Sequence, residues 1–171
     1  MAQEFAMSIS VFIIDTSYLL ELFKVPGHSN VQSNREVKER FENAVKNNSR
    51  LYVPLPCIYE LANHIAHVDD GNERQRLANV LYETIESSIQ DGIPWNITPS
   101  TGLEELPKIF QIFASEYVLQ KISMTDTSII QEAERLKKKY KGSDFRVHIW
   151  TKEISIKAYE PDKEANPFFG R

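Results

Sequence analysis

The stretch that decides the fold covers residues 9–17 and reads ISVFIIDTS. Its first part, Ile9–Ile14, is almost entirely apolar, and a short run of this kind is typical of a strand buried on both faces of a parallel sheet. The run ends abruptly at Asp15, Thr16 and Ser17. Functional groups of such sheets collect at the carboxyl ends of the strands, so Asp15 is the first candidate site residue.

Strand-like and helical segments alternate along the rest of the chain. Further strands are predicted at Leu51–Val53, at Ile93–Thr98, where prolines favour an edge position, and at Phe145–Thr151. Apolar residues at three- and four-residue spacing predict helices between them. The helical segments are Tyr18–Phe23, Asn34–Lys46, Cys57–Val68, Glu73–Ile89, Ser100–Lys121 with a break at Pro107, a segment from Ser123 to the glycine at Gly142, and Lys152–Tyr159. This order predicts an α/β domain with a parallel sheet and right-handed crossovers.

Length and composition narrow the class of protein. A chain of 171 residues that is 42% hydrophobic is expected to form one packed domain. Its single cysteine, Cys57, excludes an internal disulfide and a cysteine-based zinc cage. No apolar run approaches the roughly 20 residues that span a bilayer, and the first ten residues lack a basic leader, so we expect a soluble, cytoplasmic protein.

The net charge of −4 does not argue against a nucleic acid as substrate. Enzymes that cleave nucleic acids with a metal need several carboxylates, which lower the net charge while local basic patches still contact phosphates. Such carboxylates stand at strand ends or helix starts in this chain, at Asp15, Glu60, Asp126 and Glu153. Hard cations such as Mg²⁺ and Mn²⁺ prefer carboxylate oxygens, and a cation would relieve the repulsion among these acids.

Each acid also has a purely structural interpretation. Asp15 could cap the helix that starts near Tyr18, Asp126 could complete a capping box with Ser123, and Glu153 could favour a helix start by its charge. Glu60 is followed and preceded by apolar residues, where a buried and unpaired carboxylate would be costly. An exposed position on its helix is the structural alternative for Glu60.

In order along the chain, these motifs resemble the PIN domain. They are the strand before Asp15-Thr16-Ser17, Val53-Pro54 with Glu60 in the next helix, Thr125-Asp126 opening a helix that contains Ala133, and the final run Ile149-Trp150-Thr151-Lys152-Glu153. The resemblance spans about Ile9–Tyr159. It implies a PIN-like three-layer α/β/α domain around a central parallel sheet of four to five strands.

The resemblance also implies an activity. PIN proteins are mostly metal-dependent ribonucleases, many of them toxins of toxin-antitoxin pairs. Asp15, Glu60 and Asp126 match the three most regular acids of the family, and Thr151 with Glu153 matches a strand-end Thr-x-Asp. The fourth acid is therefore a glutamate in this chain, and Asp144 is a lower-ranked substitute because it precedes the strand.

By the same resemblance, one or two Mg²⁺ or Mn²⁺ ions would be held by Asp15, Glu60, Asp126 and Glu153 and would activate water against an RNA phosphodiester. Hydroxyl groups of Thr16, Ser17 and Thr151 would support the carboxylates or a metal-bound water. The candidates for contact with RNA are Arg135, Lys137, Lys138, Lys139, Lys141 and Lys152. Except for Lys152, these cations lie at a helix end, where the helix dipole alone favours them.

Boundaries and partners complete the interpretation. Residues 1–8 are expected to form a flexible extension, residues 9–160 the nuclease domain, and residues 161–171 a polar tail that docks loosely at most. A small antitoxin protein and a second copy of the chain are the expected partners besides RNA. Two other functions stay open, a PIN-like scaffold with weak or no activity and a phosphoacceptor receiver. A receiver needs an aspartate after a middle strand, and this chain has none directly after Leu51–Val53.

Overall fold

Four parallel strands form the centre of the protein. The computed structural model describes residues 8–99, 101–142 and 144–170, so most of the predicted N-terminal extension lies outside the described residues. The strands are β1 (Ile9–Ile14), β2 (Arg50–Pro54), β3 (Asn96–Thr98) and β4 (Phe145–Trp150). Their order in the sheet is β3-β2-β1-β4, and every pairing is parallel. The prediction of an α/β domain with a parallel sheet is confirmed.

Within the described residues, seven α-helices connect and flank the strands. They are α1 (Thr16–Leu22), α2 (Val31–Lys46), α3 (Leu55–Ala66), α4 (Gly71–Asp91), α5 (Leu106–Ile112), α6 (Met124–Lys139) and α7 (Ile154–Lys157). A π-helical turn over Phe113–Tyr117 and a 3-10 turn over Val118–Gln120 continue α5.

The central position of β1 explains its apolar sequence. It pairs with β2 on one side and with β4 on the other, so its backbone groups are bonded in both directions. Successive residues point to opposite faces of the sheet. Val11 and Ile13 are fully buried on one face, and Phe12 on the other face stacks on Trp150 at 4.1 Å between ring centroids. Phe41 of α2 packs against the same Trp150.

Helices lie against both faces of the sheet. Three connections lead from β1 through β2 to β3 and then back across the sheet to β4. Right-handed crossovers place the helices of the first two connections on one face and those of the return connection on the other. Helix α6 belongs to the return connection and packs against β1, β2 and β4. The arrangement is consistent with three α/β/α layers.

Two prolines mark where local predictions and structure differ. The strand predicted over Ile93–Thr98 is reduced to β3, which lies at the sheet edge as predicted, and Pro94 follows a cis peptide bond. One or two helices with a break at Pro107 are predicted over Ser100–Lys121, but the described part is helical only from Leu106, so Pro107 lies in the first turn of α5 and marks the start of a helix. Proline is tolerated there, since the first backbone N–H groups of a helix have no partner within the helix. Ser100 lies outside the described residues.

The C-terminal segment is docked onto the free edge of β4. The backbone N–H of Asp162 donates to the Val147 carbonyl at 3.0 Å, and the Val147 N–H donates to the Asp162 carboxylate at 2.8 Å. The Ile149 N–H donates to Glu160 at 3.2 Å. Side-chain carboxylates thus take the place of the carbonyls of a missing fifth strand, and they satisfy backbone donors that an edge strand leaves open.

The docked segment continues as far as Phe168. Glu164 accepts hydrogen bonds from Lys157 at 2.5 Å and from Trp150 at 3.2 Å, and the Tyr18 hydroxyl donates to the Phe168 carbonyl at 2.9 Å. The prediction of a loosely docked tail over residues 161–171 is therefore wrong for its described part. The polar residues that suggested a loose tail include carboxylates that accept hydrogen bonds from the backbone of β4 and from Lys157.

Candidate active site

Asp15 is held at the carboxyl end of β1 by two hydroxyl groups. Its side chain is buried, and one carboxylate oxygen, Oδ2, accepts from Ser17 Oγ at 2.6 Å and from Thr151 Oγ1 at 2.7 Å. Asp15 occupies the N-cap position of α1, but its side chain makes no capping hydrogen bond. The capping interpretation therefore does not account for this aspartate.

Parallel pairing of β1 with β4 brings Thr151 to Asp15. Ile14 and Trp150 are register partners, and the Asp15 N–H donates to the Trp150 carbonyl at 2.9 Å. The Lys152 N–H connects the two strand ends by donating to Ser17 Oγ at 3.0 Å, and the Glu153 N–H donates to Thr151 Oγ1 of its own segment at 3.0 Å. These bonds hold the backbone of Glu153 at the sheet edge that carries Asp15.

Glu60 joins this edge from α3, which begins directly after β2. Thr16 Oγ1 donates to Glu60 Oε2 at 3.3 Å, and the glutamate side chain is half-buried. Its neighbours Cys57 and Leu61 are fully buried, so the helix is anchored while Glu60 reaches across to the start of α1. All three hydroxyl residues predicted to support the site, Thr16, Ser17 and Thr151, donate to one of its carboxylates.

Asp126 has the capping role that its sequence context suggested. Its Oδ2 accepts from the Ser123 N–H at 3.3 Å and from Ser123 Oγ at 2.7 Å, and its own N–H donates to Ser123 Oγ at 3.1 Å. These bonds form a complete capping box at the start of α6. Asp126 is partly exposed, so a capping role alone accounts for its position.

The four acids nevertheless lie close enough to influence one another. Burial raises the pKa of Asp15 to about 6, against the hydrogen bonds from Ser17 and Thr151 that lower it, and the charges of Asp126 and Glu60 raise it further. Burial also raises the pKa of Glu153 to about 7, with the charges of Asp126, Asp15 and Glu60 adding to the effect. The edge therefore carries an excess of negative charge.

Four carboxylates are the kind of ligand that a divalent cation prefers. In this structure, however, they do not surround a single position. Within the described residues, no group of three or more histidine, cysteine, aspartate or glutamate side chains is placed to hold a metal ion. Oxygen donors are the ligands that Mg²⁺ and Mn²⁺ prefer, and a cation here would favour the charged forms of Asp15 and Glu153. Metal binding would require these carboxylates to draw closer together.

The structure separates most of the predicted RNA contacts from the acids. Lys137, Lys138, Lys139 and Lys141 lie at or just beyond the end of α6, and Asp126 lies in its first turn. At a rise of 1.5 Å per residue, Asp126 and Lys139 are about 20 Å apart along the axis. Two of the candidates are engaged in ion pairs, Arg135 with Glu132 and Lys137 with Asp162, each at 2.6 Å.

Lys152 is the one predicted RNA contact beside the acids, and it has a partner that the sequence did not reveal. Its Nζ lies 2.7 Å from Glu21 Oε1, and the glutamate side chain is 1% exposed. Glu21 stands in an otherwise apolar stretch of α1, and nothing in that spacing distinguishes a buried glutamate from a solvent-facing one. The pair fixes the residue between Thr151 and Glu153.

Asp144 is not a substitute for Glu153. It stands before β4, and its carbonyl accepts from the Ile9 N–H at 2.7 Å, at the amino end of β1. Parallel strands place this end of the sheet opposite to the acidic edge. Glu153 is therefore the fourth acid at the edge that holds Asp15.

The histidines do not extend the site. His28 and His64 contact each other at 4.3 Å between ring centroids, and burial with the nearby charges of His28 and His67 lowers the pKa of His64. His148 bonds through Nδ1 to the Asp162 carbonyl at 2.7 Å.

Comparison with known proteins adds no assignment. No family model matches the chain, and no curated protein matches it. Across the described ranges, none of the helices is both long and apolar enough to cross a membrane.

Proposed function

We propose that this chain is a PIN-like, metal-dependent endoribonuclease that hydrolyses phosphodiester bonds of single-stranded or structured RNA. The observation that carries the proposal is the acidic edge at the carboxyl end of a parallel sheet, where burial and then the charges of Asp126 and Glu60 raise the pKa values of Asp15 and Glu153. Ligand sites of open α/β sheets lie at this end. Carboxylates whose pKa values are raised by burial and by neighbouring charges are common at functional sites.

In this proposal the four carboxylates hold one or two Mg²⁺ or Mn²⁺ ions. A bound ion supplies an activated water and stabilises charge on the leaving oxygen. Thr151 and Ser17 fix Asp15 through a single oxygen, which leaves Oδ1 outside these two bonds and oriented by them. Thr16 orients Glu60 in the same way. These hydroxyl groups orient the two carboxylates, as hydrogen bonds from neighbouring groups do for metal ligands.

Glu153 enters the proposed metal site as a ligand at its rim. Its pKa is about 7 in the metal-free protein, and a bound cation would lower that pKa by favouring the charged carboxylate. The backbone bond from Glu153 to Thr151 keeps this carboxylate at the rim while Asp15 stays buried.

The partners belong to the same proposal. Exposed apolar side chains between α4 and the turn after α5 supply surface for an antitoxin protein or for a second copy of the chain. They include Tyr82, Ile89, Leu103, Phe110 and Leu119. The inner positions Leu77 and Leu81 are buried in the domain and cannot serve an interface. Burial of such exposed apolar area would stabilise a complex.

A catalytically weak scaffold is the second candidate function. The observation that favours it is the absence, within the described residues, of three ligand side chains grouped for a metal. The engagement of Asp126 Oδ2 in a capping box points the same way, because that oxygen is already bonded. A scaffold would keep the acidic edge for a cationic partner rather than for a metal.

Cleavage of fluorophore-labelled RNA of mixed sequence separates the two functions. We expect cleavage with Mn²⁺, none with EDTA, and at least a hundredfold loss in Asp15→Asn. Asp144→Asn is the matched control, because it makes the same change at the opposite edge of the sheet and should retain activity. Absence of cleavage on every RNA tested, with a folded protein, would favour the scaffold. Activity that survives both EDTA and Asp15→Asn would contradict the metal mechanism.

A further inference from the structure

A cleft lies over one face of the sheet, between α2 and the docked C-terminal segment. Its volume is about 890 Å³, which is within the range of about 300–1,000 Å³ that is typical of sites for small molecules. Ser10 and Phe12 of β1 form its floor together with their register partners Arg146 and His148 of β4. The described residues that line the cleft include none of the four acids, so it is separate from the proposed active site.

One polar stripe of α2 forms a wall of the cleft. Its residues follow at three- and four-residue spacing and lie on one side of the helix, and they are Glu36, Glu39, Arg40 and Asn43, with Asn47 at the C-cap. Phe41 anchors the helix to the sheet by packing against Trp150 at 5.1 Å between ring centroids. Beyond this contact, the amides of Asn43 and Asn47 line the same cleft as Ser10 and Arg146. Polar surfaces of this kind gain little from closing onto one another, so the cleft stays open.

The ion pairs of the cleft leave it with an unbalanced positive charge. Each acid that lines it is paired with an arginine at 3.0–3.2 Å, and these acids are Glu36, Glu39 and Glu164. Among the described residues, the lining cations Arg146 and Lys163 have no ion-pair partner. Both side chains are exposed, so a dissolved anion can reach them.

Docking of the C-terminal segment brings these two cations together. The Asp162 N–H donates to the Val147 carbonyl at 3.0 Å, and the Val147 N–H donates to the Asp162 carboxylate at 2.8 Å. Arg146 and Lys163 are the chain neighbours of this bonded pair, and both line the cleft. Their charges repel each other, and an anion bound between them would relieve the repulsion.

The remaining lining suits a heterocyclic ring. The half-buried Phe12 adds aromatic surface to the floor, and its ring lies 5.5 Å from that of His148. Asn43 and Asn47 are exposed, and each side-chain amide offers both donors and an acceptor. The edge of a nucleobase also combines donors with acceptors, and its faces stack on aromatic side chains.

From these observations we propose that the cleft binds a free nucleotide with one phosphate group. The phosphate lies between Arg146 and Lys163, whose hydrogen bonds to it are strengthened by charge. The base lies against Phe12, and its edge faces the amides of Asn43 and Asn47. An acidic peptide would match the cations alone, whereas a nucleotide matches the cations, the aromatic floor and the amides. This binding does not depend on the proposed nuclease activity.

Nuclear magnetic resonance titration of the full ¹⁵N-labelled chain in EDTA tests the proposal, because without a divalent cation the acidic edge repels a phosphate. The probes are the four ribonucleoside 5′-monophosphates, titrated one at a time, with their nucleosides and inorganic phosphate as comparisons. We expect at least one nucleotide to shift the backbone N–H signals of Arg146 and Lys163 in a saturable way. It should bind at least tenfold more tightly than its nucleoside and than phosphate.

Two results would overturn the proposal. One is the absence of these shifts with every nucleotide at millimolar concentration. The other is binding of inorganic phosphate as tight as that of the nucleotides, since the base would then contribute nothing.

Two matched variants locate the binding. Lys163→Gln removes one of the two cations and should weaken nucleotide binding about tenfold or more, as expected for the loss of a hydrogen bond to a charged group. Lys38→Gln makes the same change at an exposed position of α2 outside the cleft and should leave binding unchanged. Both lysines are exposed, so neither substitution threatens the fold. Equal affinity of the two variants would place the binding elsewhere and contradict the proposal.

Discussion

The Thr151 hydroxyl donates to Asp15 Oδ2 at 2.7 Å and joins residues 136 positions apart in the chain. This bond connects the end of β4 to the end of β1. The same carboxylate oxygen also accepts from Ser17, which is two residues from Asp15 in the chain. We expect Thr151→Val to lower the free energy of unfolding by about 1–3 kcal/mol, because Asp15 loses a donor while its burial is unchanged. Urea titration measures this change.

Thr151→Ser is the control for that substitution, since it keeps the hydroxyl and removes only a methyl group. It should recover most of the stability lost in the valine variant. Equal losses in the valine and serine variants would mean that packing of the threonine methyl group, and not the hydrogen bond to Asp15, stabilises this end of the sheet.

Divalent cations should raise the melting temperature of the protein. The reason is that Mn²⁺ or Mg²⁺ relieves repulsion among the acids in the folded state and has no such site in the unfolded chain. We expect Asp126→Asn to remove the gain, and scanning calorimetry with and without millimolar Mn²⁺ measures it. The matched control is Asp91→Asn at the end of α4, which should keep the full gain. An undiminished gain in the Asp126 variant would exclude Asp126 as a ligand.

Stability in EDTA should fall as the pH rises from about 4 to 8. The pKa of Asp15 is about 6 in the folded protein against 3.8 ordinarily, so between these values the folded state holds a proton that the unfolded chain has released. Unfolding therefore becomes easier as pH rises through this window, by up to ~3 kcal/mol for Asp15. Glu153, whose pKa is about 7, acts in the same direction.

Asp15→Asn should flatten this pH dependence and leave the metal-free protein at pH 8 at least as stable as the wild type. The substitution removes the charge and keeps an oxygen that can accept from Ser17 and Thr151. Urea titrations at several pH values measure the slope. A slope in the variant as steep as in the wild type would assign the pH dependence to other groups.

Glu153 should be the most tolerant of the four acids. The longer side chain and the position at the rim make its contribution the smallest, so Glu153→Ala should reduce cleavage of RNA less than Asp15→Ala does. Glu153→Asp restores the Thr-x-Asp arrangement and should increase cleavage. Initial rates with Mn²⁺ compare the variants, and an alanine variant as inactive as that at Asp15 would contradict this ranking.

The strands and their acids could be predicted because their signals are local. The apolar run of β1 and the abrupt change at Asp15 lie next to each other in sequence, and parallel pairing then dictates that Thr151 arrives at the same edge. The capping box of Asp126 is likewise a four-residue pattern. The apolar run before Asp15 and the capping box each depend on residues that are close together in sequence.

Features that depend on distant partners could not be predicted. The burial of Glu21 depends on Lys152, and the docking of Asp162 depends on the open edge of β4; neither partner is near in sequence. The lysine run at the end of α6 stays a predicted contact for RNA, and the length of the helix places it about 20 Å from Asp126. Composition alone does not reveal such distances.

The pairing of β1 with β4 also determines when the acidic edge can exist during synthesis. Among the described strands β1 leaves the ribosome before the others, and the Thr151 hydroxyl at the end of its partner β4 follows 136 residues after Asp15. At 5–20 residues per second, this interval is roughly 7–27 s. During that time the nascent chain carries Asp15 without the strand that orients it. The acidic edge therefore cannot assemble near the ribosome until β4 and Thr151 have been translated.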